Sequence, residues 1–344
     1  MLYDGKQIEF ESELHRAIWA RGRAVVPFEL STADITDREL LDGFKQVYDF
    51  TVALFAELYA CPEKYELQMG GEIQIHLYLC ELIKYAKANG LEAEWIMKEV
   101  EMPPRALKAL KKIDLLRSFG FVYERDNGTI KIKSEKYPLF LKYFAVLHEE
   151  SLKRRLFCIN YVTACDFRIF NNYIKSIDDI IRVLSDKEKA YVLKIHNDLI
   201  EKGCTPKSRP TGDDVVIYKY KKQDLMSIAL AYSKKLVISV SLGENMDNEI
   251  AKLPNKDEMM AYVSESICYC TLCNGYRNKP CIEMHKSCNS VYWTDLDGKK
   301  RLTCGMPTLS RRYEIIDQYN EYEEHEIKTL KLFLDLRTKV IEIK

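Results

Sequence analysis

Residues 121–134 read FVYERDNGTIKIKS. Side chains alternate in character on both sides of Asn127 and Gly128, which predicts a β-hairpin, because Asn-Gly supplies the two positive φ angles of a tight type I′ turn. Upstream, Pro103 and Pro104 stand where a helix would start. The stretch RALKALKKIDLLRSFG, 105–120, then places Leu107, Leu110, Ile113 and Leu116 on one side and stops at Gly120. Before it, LEAEWIMKEVEM (91–102) reads as a short helix. IQIHLYLCELIKYAKANG (73–90) reads as a longer helix that follows the break at Gly70 and Gly71. His76 lies there among Ile75, Leu77 and Leu79, and a helical histidine in such company reads as structural.

The order helix, helix, helix, hairpin over residues 71–134 resembles a winged helix, in which the third helix enters the DNA major groove and the hairpin touches the backbone. The resemblance implies a nucleic-acid surface made of Arg105, Lys108 and Lys112 on one face of the third helix, with Arg125, Lys131 and Lys133 in the wing. Charge supports that placement. Residues 1–100 hold 10 basic against 18 acidic side chains, whereas residues 101–155 hold 13 against 7. The bland alternative is a winged helix used only to pack against protein, its lysines and arginines forming a solvated face.

Residues 36–60 carry apolar positions at helical spacing, with Thr36 or Asp37 as cap, and LFLKYFAVLHEESLKRRL resumes a helix after Pro138. FCINYVTACDFRIF is ambiguous between strand and buried helix. Ser185 with Glu188 forms a capping box opening a helix that Gly203 ends, and residues 204–214 read as a loop. The period then changes. VVIYKYKK, DLMSIALAYS and KLVISVSL predict an antiparallel meander, DEMMAYVSESICYC a helix, SVYWTDLDGKKRLTCGM a hairpin around Asp297 and Gly298, and RRYEIID a further strand. A final helix from about Asn320 turns Ile327, Leu330, Leu334 and Leu336 inward. The expected fold is α+β in two domains: a mostly helical domain over 1–173, and an antiparallel sheet with helices on one face over 174–344.

The second domain contains CYCTLCNGYRNKPCIEMHKSC, residues 268–288, with five cysteines, and Cys304 follows. Cys270 and Cys273 form the C-x2-C pair that gives zinc two thiolates from one turn, and the second pair would come from Cys281, Cys288, Cys304 or His285, with Cys281 and Cys288 the expected ligands. No second C-x2-C exists, so reduced thiols without metal stand beside structural zinc, and a redox pair is the third reading. Iron–sulfur spacing is absent. Cys61, Cys80, Cys158, Cys165 and Cys204 are scattered and read as ordinary thiols.

Hydrophobic residues make up 47%, charged residues 30%, and the formal net charge is zero, which excludes a disordered chain and a polyanion-binding surface over the whole molecule. The first residues carry acids where an export signal needs bases, and no apolar run reaches membrane length, so a cytoplasmic protein is expected. No phosphate loop, nucleophile elbow or H-E-x-x-H occurs, which leaves catalysis open but unmarked. HNDLIEKGC, the meander and the cysteine segment ending in GKKRLTC together resemble uncharacterised bacterial two-domain proteins, a likeness that implies architecture and no activity. The sequence thus predicts a DNA-binding regulator or ligand-binding protein, with a small effector or protein as further partner and a dimer if the operator is symmetric. An interaction scaffold without DNA binding is the alternative, and a thiol enzyme using Cys270 and Cys273 the third.

Overall fold

The Asn127–Gly128 turn forms with φ of 47° and 76°, and the strands on either side pair directly from Asp126 and Thr129 outward. The computed structural model of the chain describes residues 10–68, 70–87, 91–153, 158–184, 186–208, 214–230, 236–241, 246–257 and 259–260. Beyond these it describes the backbone of 292–294, 300–302, 308–313 and 322–343, with side chains from 331 to 342. The architecture is α+β. The chain divides into two compact units, Met1–Lys175 with Arg209–Asp213 and Ser176–Ser208 with Asp214–Lys344.

In the first unit the long helices are α1 (Glu13–Ala24), α3 (Arg38–Ala60), α4 (Gln74–Ala86) and α6 (Phe140–Leu152). The short ones are α2 (Phe28–Ser31), α5 (Pro104–Ile113) and α7 (Cys158–Thr163). Asp37 caps α3 as its position in the sequence predicts, its carboxylate accepting from the backbone N–H groups of Glu39 and Leu40. Phe44, Val47, Phe50, Leu54 and Leu58 then recur at helical spacing and are buried. Burial of each such side chain contributes about 1.5–3 kcal/mol, so this one stripe anchors the bundle. Helix α6 can lie close because residue 43 is glycine: a Cβ there would stand 2.0 Å from Cδ2 of Tyr143.

Residues 91–102 are not the helix that the sequence suggests. They contain strand β1 (Trp95–Lys98) and a 3-10 turn over Glu99–Glu101. Trp95 and Met97 are fully buried while Lys98 is exposed, a period of two rather than 3.6. β1 pairs antiparallel with β3 (Thr129–Ser134), whose other side holds β2 (Phe121–Asp126), so the sheet order is β1-β3-β2. The third expected helix is also shorter, since α5 stops at Ile113 and Asp114–Phe119 continue as a 3-10 helix up to Gly120. A helix and a hairpin therefore stand where the winged-helix resemblance puts them, but the helix before α5 is replaced by a strand. Phe50 of α3 joins the hairpin to the bundle, with ring centroids 5.4 Å from Phe121 and 4.3 Å from Phe140.

The second unit begins with α8 (Ile177–Ile181), opened by a capping box of Ser176 and Asp179, and α9 (Asp186–Glu201), which ends before Gly203 at φ 80°. Ser185 of the expected capping box lies outside the described residues. Strands β5 (Val215–Tyr220), β6 (Gln223–Leu230) and β7 (Leu236–Ser241) form the expected meander, and β4 (Thr205–Ser208) corrects the loop expected over 204–214: despite Pro206, its residues pair antiparallel with Val216–Lys219 at the edge of the sheet. Next in the chain come α10 (Met246–Ile250), the β8 (Tyr292–Thr294) and β9 (Lys300–Leu302) hairpin, β10 (Thr308–Tyr313) and α11 (Tyr322–Ile343). The main sheet is antiparallel in the order β10-β7-β6-β5-β4. Val216, Tyr218, Met226, Ile228, Ile238 and Val240 alternate with half-buried neighbours and make its buried face. Helix α11 packs against β6 and β7, and among its described side chains Phe333, Leu334, Leu336, Val340 and Ile341 are the buried apolar ones.

Candidate functional sites: the basic face and a buried polar cluster

The six basic residues singled out in the sequence do share the α5 and hairpin region, but most of their charge is already balanced. Arg105 is exposed and its Nε lies 3.7 Å from Glu81 Oε2, a carboxylate on α4 that also accepts from Lys84 at 2.7 Å. Lys112 pairs with Glu66, Arg125 with Glu99, and Lys133 Nζ stands 3.8 Å from Glu124 Oε1. Hydrogen bonding by Lys112 holds the Glu66 carboxyl below its ordinary range. Lys112 is also only 20% exposed, so it leans inward instead of sharing the outer face of Arg105 and Lys108. Lys108 and Lys131 are exposed, as is Lys111 beside them, with no ion pair among the described residues. The face is mixed in sign, and a phosphate backbone approaching it meets carboxylates as well as cations.

A second group was not visible in the sequence. Arg21 on α1, Glu72 just before α4, His76 on α4 and Asn160 on α7 meet inside the helical bundle. Arg21 Nη1 donates to Asn160 Oδ1 at 3.3 Å, and Arg21 Nε lies 3.7 Å from Glu72 Oε1, with both side chains of that ion pair about 98–99% buried. His76 is fully buried. Its ring stacks on Phe55 at 5.5 Å, with Phe144 at 6.3 Å. Burial, followed by the charge of Arg21, pushes its pKa down to about 3, so the imidazole is neutral. A neutral ring has one donor and one acceptor nitrogen. Neither nitrogen, nor Glu72 Oε2, meets a hydrogen-bonding group of the described residues.

The same unit holds another buried ionic group of different geometry. Arg168 donates to Asp166 through Nε at 2.7 Å and Nη2 at 3.0 Å, the two-pronged fork that guanidinium and carboxylate favour. Lys175 Nζ completes the group at 4.0 Å. In the second unit His196 Nδ1 and the buried Tyr218 hydroxyl share a hydrogen bond of 2.8 Å, which gives the histidine a packing role.

The zinc ligands expected at Cys270, Cys273, Cys281 and Cys288 lie outside the described residues, as does most of the helix expected over 257–270. Among the described residues no cluster of three His, Cys, Asp or Glu could hold a metal ion. Burial pushes Cys165 up to about 12 and also raises Cys204, so neither thiol is a nucleophile at neutral pH. Among the described residues no helix is long and apolar enough to cross a membrane. Compared with protein-family models, curated proteins and solved structures, the chain matches none.

Proposed function

We propose that the protein is a non-catalytic binding protein and that the α5 and hairpin face of its first unit docks a protein partner. The observation that carries this reading is the pairing of Arg105, Lys112, Arg125 and Lys133 with Glu81, Glu66, Glu99 and Glu124. Such a surface offers interspersed charges of both signs, which favours selectivity between proteins over attraction to a polyanion. A photocrosslinking side chain at Lys108 of the full chain tests it in cells. Adducts that resist nuclease and are cut by protease are the expected result, and nuclease-sensitive adducts, or none, would overturn it.

DNA binding is the second reading. It draws on the helix-then-hairpin order that resembles a winged helix and on Lys108, Lys111 and Lys131, which are exposed and make no ion pair among the described residues. Each neutralised phosphate steepens the fall of log K with log salt by about 0.9. On the protein-partner reading, duplex DNA binds weakly with a slope of magnitude about 3 or less. A magnitude near 5, as six phosphate contacts require, would favour DNA. The structural zinc expected in the cysteine segment, a small effector and a cytoplasmic site of action belong to the same proposal. They rest on the sequence alone, and metal analysis of the reduced protein tests the first.

A further inference from the structure

The three-stranded sheet of the first unit has two edges of different kind. β1 lies along α4, whereas no strand of the described residues pairs with the outer side of β2. The Glu135 N–H donates to the Gly120 carbonyl at 2.8 Å, and in an antiparallel ladder every second pair from there, at Val122, Glu124 and Asp126, is bonded to β3 in the same way. The N–H and C=O groups of Tyr123 and Arg125 therefore point away from β3, and they bond to no other backbone group of the described residues. Phe121 at the base of the strand is buried, but Glu124, Arg125 and Asp126 are exposed. An open edge of this kind accepts a further strand. Its side chains alternate: Val122, Glu124 and Asp126 lie on the sheet face of Lys131 and Lys133, while Phe121, Tyr123 and Arg125 lie on the face of the buried Ile130 and Ile132.

We propose that the exposed edge of β2 binds an extended segment of a partner protein in which lysine or arginine alternates with β-branched apolar residues. This rests on the reading of the α5 and hairpin face as a protein-docking surface and names how the partner is held. Antiparallel addition sets alternate residues of the partner strand opposite Glu124 and Asp126 on one face, and opposite Tyr123 and Arg125 on the other. Glu124 is 63% exposed and is shared with Lys133 only at 3.8 Å, and Asp126 makes no ion pair among the described residues, so basic side chains complete that face. On the other face the half-buried Tyr123 ring suits an isoleucine or valine. β2 already accepts this pattern on its inner side, where β3 reads TIKIKS. A second copy of β2 fits poorly. Antiparallel self-pairing centred on Glu124 or Arg125 sets Glu124 opposite another Glu124 or Asp126, and like charges directly opposite repel.

The test uses the full chain labelled with 15N-tyrosine and 15N-arginine. It follows the backbone amides of Tyr123 and Arg125, assigned by Y123F and R125K, as the capped peptide TKIKIT is added. Both amides should shift saturably, with a Kd below about 1 mM, and exchange their hydrogens more slowly. The peptide TEIEIT should bind at least about tenfold more weakly, and E124Q/D126N should abolish that preference. Methylation of both isoleucine nitrogens of TKIKIT, which removes the donors to the Tyr123 and Arg125 carbonyls, should abolish binding. Where E124Q/D126N does not fold, the wild-type comparison of the three peptides decides alone. No saturable shift with TKIKIT, equal binding of TEIEIT by the wild type, or undiminished binding of the methylated peptide would each overturn the proposal. Shifts that follow chain concentration without peptide would assign the edge to a second copy and overturn it as well. If the peptide fails while the adducts at Lys108 are protein, the docking surface stands without strand addition; nuclease-sensitive adducts remove the surface itself.

Discussion

Charged side chains occur in the first unit in two settings, and the same residue types behave differently in each. On the outer face Arg125 and Glu99 are 60% and 25% exposed and solvent screens their attraction, whereas Arg168 and Asp166 are 9% and 1% exposed and depend on each other. The outer pairs set the sign of the surface and hold little of the fold. The inner ones hold the fold, and losing a member removes a compensating charge from a buried setting. Exposure, and not the identity of the pair, decides which role it has.

The largest expected effect lies inside. Asp166→Ala removes the buried carboxylate that pairs with both Arg168 and Lys175 and is expected to cost about 3–5 kcal/mol in urea denaturation. A loss below about 1 kcal/mol would erase the distinction between the two settings.

His76 gives an intermediate effect that depends on pH. Its folded pKa lies near 3 against 6.5 for the free side chain, so between those values the unfolded chain binds the extra proton and stability falls as pH falls. Between pH 6 and 5 this contributes a slope approaching 1.4 kcal/mol per unit. His148, whose pKa burial also lowers, acts in the same direction, so the difference between wild type and His76→Leu isolates His76. The leucine variant should be at least as stable at pH 7.5 and lose stability less steeply on acidification; parallel pH profiles would show that His76 is not held neutral. The smallest effect belongs outside. Arg125→Ala should cost under about 1 kcal/mol, and added salt should shrink the difference further.

The sequence made the hairpin legible because Asn127 and Gly128 are the two residues that its turn geometry prefers. The next hairpin was legible only from its strands. Lys221 and Lys222 adopt φ of 46° and 69° at the β5–β6 turn, and it is the pairing of Tyr220 with Gln223 that holds two lysines in that conformation. Strand β1 was misread because four residues carry too few alternations to outweigh the helical look of their neighbours, and its partner β3 is 31 or more residues away in the register. The basic positions could be read, but not their carboxylates, since Lys112 and Glu66 are 46 residues apart and Arg125 and Glu99 are 26 apart. The buried cluster was hidden for the same reason. Arg21 and Asn160 are separated by 139 residues, and the one local hint was a charged residue following two glycines at the head of an apolar helix.

Cys80, Cys165 and Cys204 are buried, and Cys165 is fully enclosed beneath the Val47 carbonyl. Under native conditions these thiols are silent to an alkylating reagent, so they provide a built-in blank. Labelling of the folded chain then reports on Cys61, Cys158 and the cysteines from 268 to 304, and the difference from the denatured count gives the protected number. With the three buried positions replaced by alanine or serine, any protection that remained and vanished with a chelator would belong to a metal, and the stoichiometry could be read from a mass spectrum one adduct at a time.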